Sequence, residues 1–310
     1  MKNVFVINGF LEAGKTEFIK FTISQDYFQS KNTTLLILCE EGEVEIEKEI
    51  LDKTHTVIEV IDEKENLTSS TLLELEKKHK PERIIIEYNG MWQMSELKMP
   101  WHWKLSQQVT VINAQTFNMY FSNMRSLVSD MVKKSELIIF NRCDNLYKDL
   151  PTYKRNMMAL NRNAEIVFED SKGEVSTILD EELPFDVKAP VIELIDENYG
   201  IWFFDCLDTP DRYEGKTVKF LAQVVKPDNM KKGHLVPGRS AMTCCAEDIA
   251  FLGFICKTEE ADKYKKGDWI TVIADIKMEF WEDYNGVGPV LYAKEIVPAK
   301  APKEEVISLV

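Results

Sequence analysis

Gly9-Phe10-Leu11-Glu12-Ala13-Gly14-Lys15-Thr16 constrains this chain more than any other stretch. It follows a short apolar run, residues 4–7, and precedes a helix-like segment, residues 17–24. A glycine-rich turn between a strand and a helix N-terminus lets backbone N–H groups converge on phosphate oxygens. The lysine then reaches the β/γ-phosphates and the threonine hydroxyl is free for Mg²⁺. This is the Walker A pattern, and it places Gly9, Glu12, Ala13, Gly14, Lys15 and Thr16 at a nucleotide phosphate site; an ordinary βα turn is the alternative. A strand, such a turn and a helix in that order belong to an α/β fold.

A length of 310 residues suggests two domains, and 45% hydrophobic with 29% charged residues supplies a core for each. The net charge of −14 argues against nucleic acid or an anionic membrane as partner, since both require a basic footprint. No apolar run approaches the roughly 20 residues of a membrane span, and the first strand begins at once, which leaves no room for a signal peptide. The expectation is a cytoplasmic protein without membrane insertion. In that compartment the six cysteines are expected to be free thiols or metal ligands rather than a disulfide framework.

Residues 33–39 form a second apolar run of the kind a strand buried on both faces shows. Five carboxylates follow within residues 40–47, where open α/β sheets place their ligands. They read either as a solvated helix start or as a metal-linked loop. Residues 55–61 are a third candidate strand, 67–79 an amphipathic helix, and 83–87 a short strand that ends in Glu87-Tyr88-Asn89-Gly90. An acid at a strand end followed by glycine fits a Walker B and switch segment. Glu87 would orient Mg²⁺ or its water shell beside Thr16, and the Gly90 N–H would approach the γ-phosphate. Residues 109–113 and 136–140 supply two further strands, the second running into Asn141-Arg142-Cys143-Asp144. This is close to the [NT]-K-x-D guanine motif, in which Asp144 would accept from the base and Asn141 organise the loop. Arg142 stands where lysine is usual and offers a guanidinium plane for stacking.

These segments, together with Val109-Thr110-Val111-Ile112-Asn113-Ala114 and Leu160-Asn161-x-Asn163-Ala164, occur in the order seen in CobW-type GTPases, and residues 1–180 resemble that CobW/HypB/UreG group of metal-handling P-loop proteins. The resemblance implies an α/β fold with a doubly wound, mostly parallel sheet, GTP with Mg²⁺, slow hydrolysis, and use of the nucleotide state to deliver a metal, often zinc or cobalt, to a client. It also ties Glu40 to metal. Such relatives usually carry C-x-C-C between the acidic loop and the Walker B strand, and this chain reads Glu59-Val60-Ile61-Asp62-Glu63-Lys64-Glu65-Asn66 there. Without soft ligands a zinc site cannot form in that place. Glu12 replaces the small residue usual in the loop, and must point away from phosphate or weaken its binding.

The boundary is expected near the two prolines of residues 181–190, which divides the chain into 1–183, 191–300 and a tail, 301–310. Residues 217–225, 241–245, 250–257, 269–277 and 290–297 read as strands between glycine and charged turns, which suggests a small OB-like barrel. In this acidic chain Trp202, Phe203, Trp269 and Trp281 read as core or rim aromatics rather than a base-stacking groove. This half resembles the soluble C-terminal domain of a bacterial permease-associated family with a similar Thr-Cys-Cys-Ala segment. Adjacent Cys244 and Cys245 on a strand would face opposite sides, so core thiols, a zinc site completed by Cys206, His234, Asp248 or Cys256, and redox chemistry all stay open.

The leading expectation is a GTP-binding protein with slow Mg-dependent hydrolysis, in which Lys15, Thr16 and Glu87 act on the phosphates. It would work as a metal chaperone or regulator of zinc trafficking, with a client protein or transporter as partner. A nucleotide-sensing interaction module with negligible turnover and an ATP-dependent enzyme are the rivals. The metal, the client and the oligomeric state are not encoded in any motif of the chain.

Overall fold

Strands that are apolar at every position must be covered on both faces. In the computed structural model of the protein, which describes residues 1–40, 42, 45–175, 183–227, 230–242 and 249–309, that requirement is met by the first of two units, Met1–Leu179 and Asp180–Val310. Its strands are β1 (Lys2–Asn8), β2 (Thr34–Leu38), β3 (Thr56–Val60), β4 (Arg83–Glu87), β5 (Trp103–Asn113), β6 (Leu137–Asn141), β7 (Glu165–Asp170) and β8 (Gly173–Glu174). They lie in the order β3-β2-β4-β1-β5-β6-β7-β8, and every neighbouring pair is parallel except β7 with β8.

Successive residues of a strand serve opposite faces. Ile85 packs with Ile19 and Ile23 of helix α1 (Lys15–Ser24), whereas Ile84 and Ile86 pack with Leu72 beyond the short α2 (Lys48–Lys53), on α3 (Ser69–His79). On the far side of β1, helices α4 (Ala114–Asn123), α5 (Arg125–Val132) and α6 (Leu150–Leu160) close over β6 and β7 around Phe117, Phe140, Tyr153 and Phe168. The local signals agree with the elements: Thr68 accepts from the Thr71 N–H at the start of α3, and Asn113 accepts from Gln115 N–H at the start of α4. A helix start is one of the two readings of the acidic run, and α2 begins just after it, at Lys48.

β1 lies between β4 and β5, so the order of the sheet reverses at its C-terminal end, where open α/β sheets bind ligands. The register also pairs Glu87 with Ile7 on one side and Leu38 on the other. The strand-end carboxylate is thereby fixed next to the point where the chain leaves β1.

The second unit is built on alternation instead. Strand β10 (Thr217–Val225) buries every second residue, as does the first part of β14 (Trp269–Trp281). With β11 (His234–Met242), β13 (Ile255–Lys257) and β15 (Gly286–Pro298) they close a five-stranded ring, β10-β14-β15-β13-β11 and back to β10. β9 (Ile192–Glu193), β12 (Ile249–Gly253) and β16 (Val306–Ser308) attach outside the ring. Helix α7 (Asp196–Asp208), which no sequence signal announced, packs Trp202 against Phe220 and Phe254 with ring centroids 5.4 Å apart in each pair. Trp202 and Phe203 are core residues, as expected, and Trp269 and Trp281 are half-buried.

Two strand expectations need correction. The strand read at 241–245 is the end of β11, which begins at His234, and residues 243–248, including Cys244 and Cys245, lie outside the described residues. The strand read at 250–257 is two, β12 and β13, divided at Phe254. At that crossing Gly238 and Gly253 face each other in the ladder, and a Cβ on Gly238 would fall 2.1 Å from the Leu252 carbonyl oxygen. Among the described residues no helix is long and apolar enough to cross a membrane.

Phe140 is fully buried, with its ring 5.0 Å from Phe168 and 5.1 Å from Phe117. Phe140→Ala is expected to destabilise the first unit by about 3–5 kcal/mol, measured by urea unfolding; a loss below about 1 kcal/mol would show that the aromatic cluster does not carry the sheet.

Candidate nucleotide site

The loop after β1 is shaped by backbone that only small residues allow. Gly9 has φ 145° and Gly14 φ 95°, and a Cβ on Gly9 would fall 2.2 Å from the Val111 carbonyl oxygen. Gly90, two residues after the switch-like Tyr88, is pressed against the same loop from the other side, where its Cβ would fall 2.2 Å from the Gly9 oxygen. Glu12 has φ 58°, is exposed, and is among the residues that line the phosphate cavity.

Inside the curl, Lys15 is buried and its Nζ donates to the Gly9 and Phe10 carbonyl oxygens, at 2.9 Å each, and to the Glu40 carboxylate. Thr16 Oγ1 donates to Glu87 Oε1 at 2.8 Å and lies 3.1 Å from Oε2. Glu87 is only 3% exposed, and burial raises its pKa above the ordinary carboxylate value, against the lowering effects of the Thr16 hydrogen bond and the Lys15 charge. A cavity of about 580 Å³ is lined by the loop with Glu40, Gly42, Glu87 and Arg142. The sequence-predicted residues Gly14, Lys15, Thr16, Glu40 and Glu87 thus meet in one place, with Gly9 and Gly90 as the backbone behind it.

A second cavity, of about 500 Å³, opens beside Gly14 between Phe18, Phe21, Val111 and Ile139 on its apolar side and Asn141, Asp144 and Ser171 on its polar side. Asn141 Nδ2 donates to the Ala13 carbonyl at 2.7 Å, and the buried Asn141 Oδ1 has no hydrogen-bond partner among the described residues. Asp144 accepts from Ser171 Oγ at 2.6 Å and from the Ser171 N–H at 3.2 Å. Those bonds hold its carboxyl below the usual carboxylate range, so it faces the cavity as an acceptor. Arg142 takes φ 55° and donates from Nη1 to the Glu12 carbonyl at 3.0 Å, which ties the base-side loop to the phosphate loop.

Ser171 and Arg142's hold on Glu12 were not read from the sequence. Ser171 follows directly on β7, so the rule that ligands collect at the carboxyl ends of the strands was the available signal. The hydrogen bond from Arg142 has no signal in sequence, since it depends on two left-handed residues meeting.

The donors around Thr16 are hard oxygens, which suit Mg²⁺ and not a thiophilic ion. Cys39, which directly follows β2, is buried, and burial with the Glu87 and Glu40 charges pushes its pKa up to about 12, so it stays a neutral thiol. The stretch that stands in place of C-x-C-C is taken up by pairing: Glu59 accepts from Lys78 at 2.6 Å and contacts His79 at 2.5 Å. Among the described residues no group of three or more His, Cys, Asp or Glu is arranged to hold a metal. In the second unit Cys206 and Cys256 are fully buried with thiol pKa values raised by burial, and His234 Nδ1 lies 2.9 Å from the Lys232 carbonyl oxygen.

A phosphate loop at the switch point of a parallel sheet, with a strand-end acid beside its threonine, defines a nucleotide-binding P-loop protein. Residues 3–168 match the family described as "CobW/HypB/UreG, nucleotide-binding domain", more than half of the chain, and the protein belongs to that family. Residues 171–307 match the DUF1980 C-terminal domain. Solved structures similar to it include Zn(II)-bound YjiA GTPase from E. coli, at 14% identity and a TM-score of 0.41 over 88% of this chain and 93% of that one. HypB from Archaeoglobus fulgidus matches at 17% identity and a TM-score of 0.40, over 55% of this chain and 82% of that one. HypB from Helicobacter pylori in complex with nickel matches at 13% identity and a TM-score of 0.34, over 55% of this chain and 80% of that one. No curated protein gives a significant match.

Because the folded-state pKa of Glu87 is raised, its contribution to stability is present below the unfolded value and lost as pH rises through the folded one. Glu87→Gln keeps an acceptor for Thr16 and removes the buried charge. The variant is expected to melt at a higher temperature than wild type at pH 7, with the difference closing as pH falls below the ordinary 4.5. Thermal scans across that range test it; a variant that melts lower at neutral pH would mean that the Lys15 attraction outweighs burial.

Proposed function

We propose that the first unit binds GTP with Mg²⁺ and hydrolyses it slowly, and that its nucleotide state governs the handling of a metal, zinc in the first instance, for a client protein or transporter. The observation that carries the reading is the convergence of Lys15, Thr16 and Glu87 at the C-terminal end of β1. Lys15 would neutralise β/γ-phosphate charge. Thr16 and Glu87 would hold Mg²⁺, which when bound neutralises the charge that develops on the phosphates. Asp144, kept ionised by Ser171, would accept from the guanine N1–H and 2-amino group, with Asn141 fixing the loop and the apolar wall of Phe18 and Val111 against the base.

Slow turnover follows from where the arginine is. Arg142 reaches the phosphate cavity, but its Nη1 is engaged by the Glu12 carbonyl, and no arginine lies in the phosphate loop or in residues 40–47. An arginine acting on the transferred phosphoryl group is worth about 10³–10⁵ in rate. The metal-handling part of the reading rests on the family and on Cys244 and Cys245 as thiolate donors in the second unit, because the groups around the phosphate cavity, Thr16, Glu87 and Glu40, are oxygen ligands.

Titration with fluorescent GTP and ATP analogues, with phosphate release followed in parallel, is the test. Lys15→Ala is expected to weaken GTP binding by at least about 3 kcal/mol, roughly 150-fold. Asp144→Ala should erode the preference for GTP over ATP, and basal release should stay below about 1 s⁻¹. Equal affinity for GTP and ATP in the intact protein would overturn the guanine assignment.

A further inference from the structure

An ammonium group has three N–H donors. In this protein the Lys15 ammonium gives all of them to protein acceptors: the Gly9 carbonyl, the Phe10 carbonyl and the Glu40 carboxylate. The Lys15 side chain is 2% exposed and that of Glu40 10%, so the pair is shielded from water and its attraction is little screened. The two carbonyls belong to the loop itself and are held by its glycine geometry. Glu40 alone among the three is a side chain on a different segment, and it carries the same charge as a phosphate.

We infer that Glu40 is an internal competitor for the phosphate position at Lys15, so that a nucleotide can bind only by expelling this carboxylate. This rests on the nucleotide reading above and goes further, to how that site is regulated. Two anions within hydrogen-bond reach of one ammonium repel each other, and a γ-phosphate oxygen beside Lys15 cannot coexist with an ionised Glu40 in place. The Glu40 pair is buried, unlike the more exposed pair that Glu47 makes with Lys20 on α1 at 2.5 Å, so phosphate entry has to break the stronger of the two contacts. Gly42 also lies close to the site: a Cβ there would stand 3.8 Å from Thr16 Oγ1. By linkage, anything that draws Glu40 away from Lys15, a cation or a partner with a basic group, raises nucleotide affinity by the same factor that nucleotide raises its own.

The test compares wild type with Glu40→Gln and with Glu45→Gln. Glu45 is exposed and lines the adjoining cavity, so its neutralisation reports the general effect of losing one carboxylate near the phosphates. Fluorescent GTP and ATP analogues with Mg²⁺ are titrated into each intact protein. Hydrogen exchange of the amides around Glu40 is followed in wild type with and without nucleotide. Glu40→Gln is expected to bind at least about tenfold tighter than wild type, and Glu45→Gln within about threefold of it. In wild type, nucleotide should speed exchange around Glu40. Binding by Glu40→Gln alone would support the inference in its strongest form, a pair that holds the site shut. If wild type binds nucleotide while Glu40→Gln binds no tighter than Glu45→Gln, the inference falls and the nucleotide reading stands. If none of the three binds either nucleotide, the reading itself falls and the inference with it. Should Glu40→Gln fail to fold, unchanged exchange around Glu40 in nucleotide-bound wild type overturns the inference.

Discussion

A lysine ammonium buried in the first unit needs fixed acceptors, and the loop after β1 supplies two of them from its own backbone at 2.9 Å. The rest of the site depends on that arrangement. The curl exists only because Gly9 and Gly14 take positive φ and because Gly90 lets the following segment lie directly against the Gly9 carbonyl. An uncompensated charge would not be tolerated at this depth. Loop geometry, strand order and the acidic segment are therefore three parts of one electrostatic solution, with Glu40 closing it.

The same constraint explains why the two sides of the site differ in character. On the phosphate side, Glu40 pairs with Lys15, Thr16 donates to Glu87, and burial raises the pKa of Glu87. On the base side the walls are Phe18, Val111 and Ile139, with polar atoms confined to Asn141, Asp144 and Ser171. Arg142 and Asn141 bridge the sides through the Glu12 and Ala13 carbonyls, so the base loop and the phosphate loop are one hydrogen-bonded body. Glu40 holds the loop from a different segment, through its side chain alone.

A family defined by metal handling meets here a first unit without thiolates at the customary place. Glu59 answers Lys78 and His79, and Cys39 is held neutral by burial. Among the described residues the other cysteines, Cys143, Cys206 and Cys256, are buried too, and Cys244 and Cys245 lie outside them.

What the sequence determined by itself was local. The spacing of Gly9, Gly14, Lys15 and Thr16 announces a phosphate loop because the chemistry is contained in eight consecutive residues. Apolar runs such as residues 84–86 announce strands covered on both faces because burial removes the need for alternation. The strand-end Glu87 and the Asn141–Asp144 segment were legible for the same reason, each following directly on such a run. Tertiary structure decided whatever needed two distant segments to meet: Glu40 on Lys15, Ser171 on Asp144, Arg142 on the Glu12 carbonyl. It decided too that Asp196–Asp208 is a helix, since its four aromatics are buried by a barrel that closes only when residues 217–298 pair. Pairing of charges across such sequence distances carries no periodicity and no motif, so it becomes visible only once the sheet order brings the strand ends together.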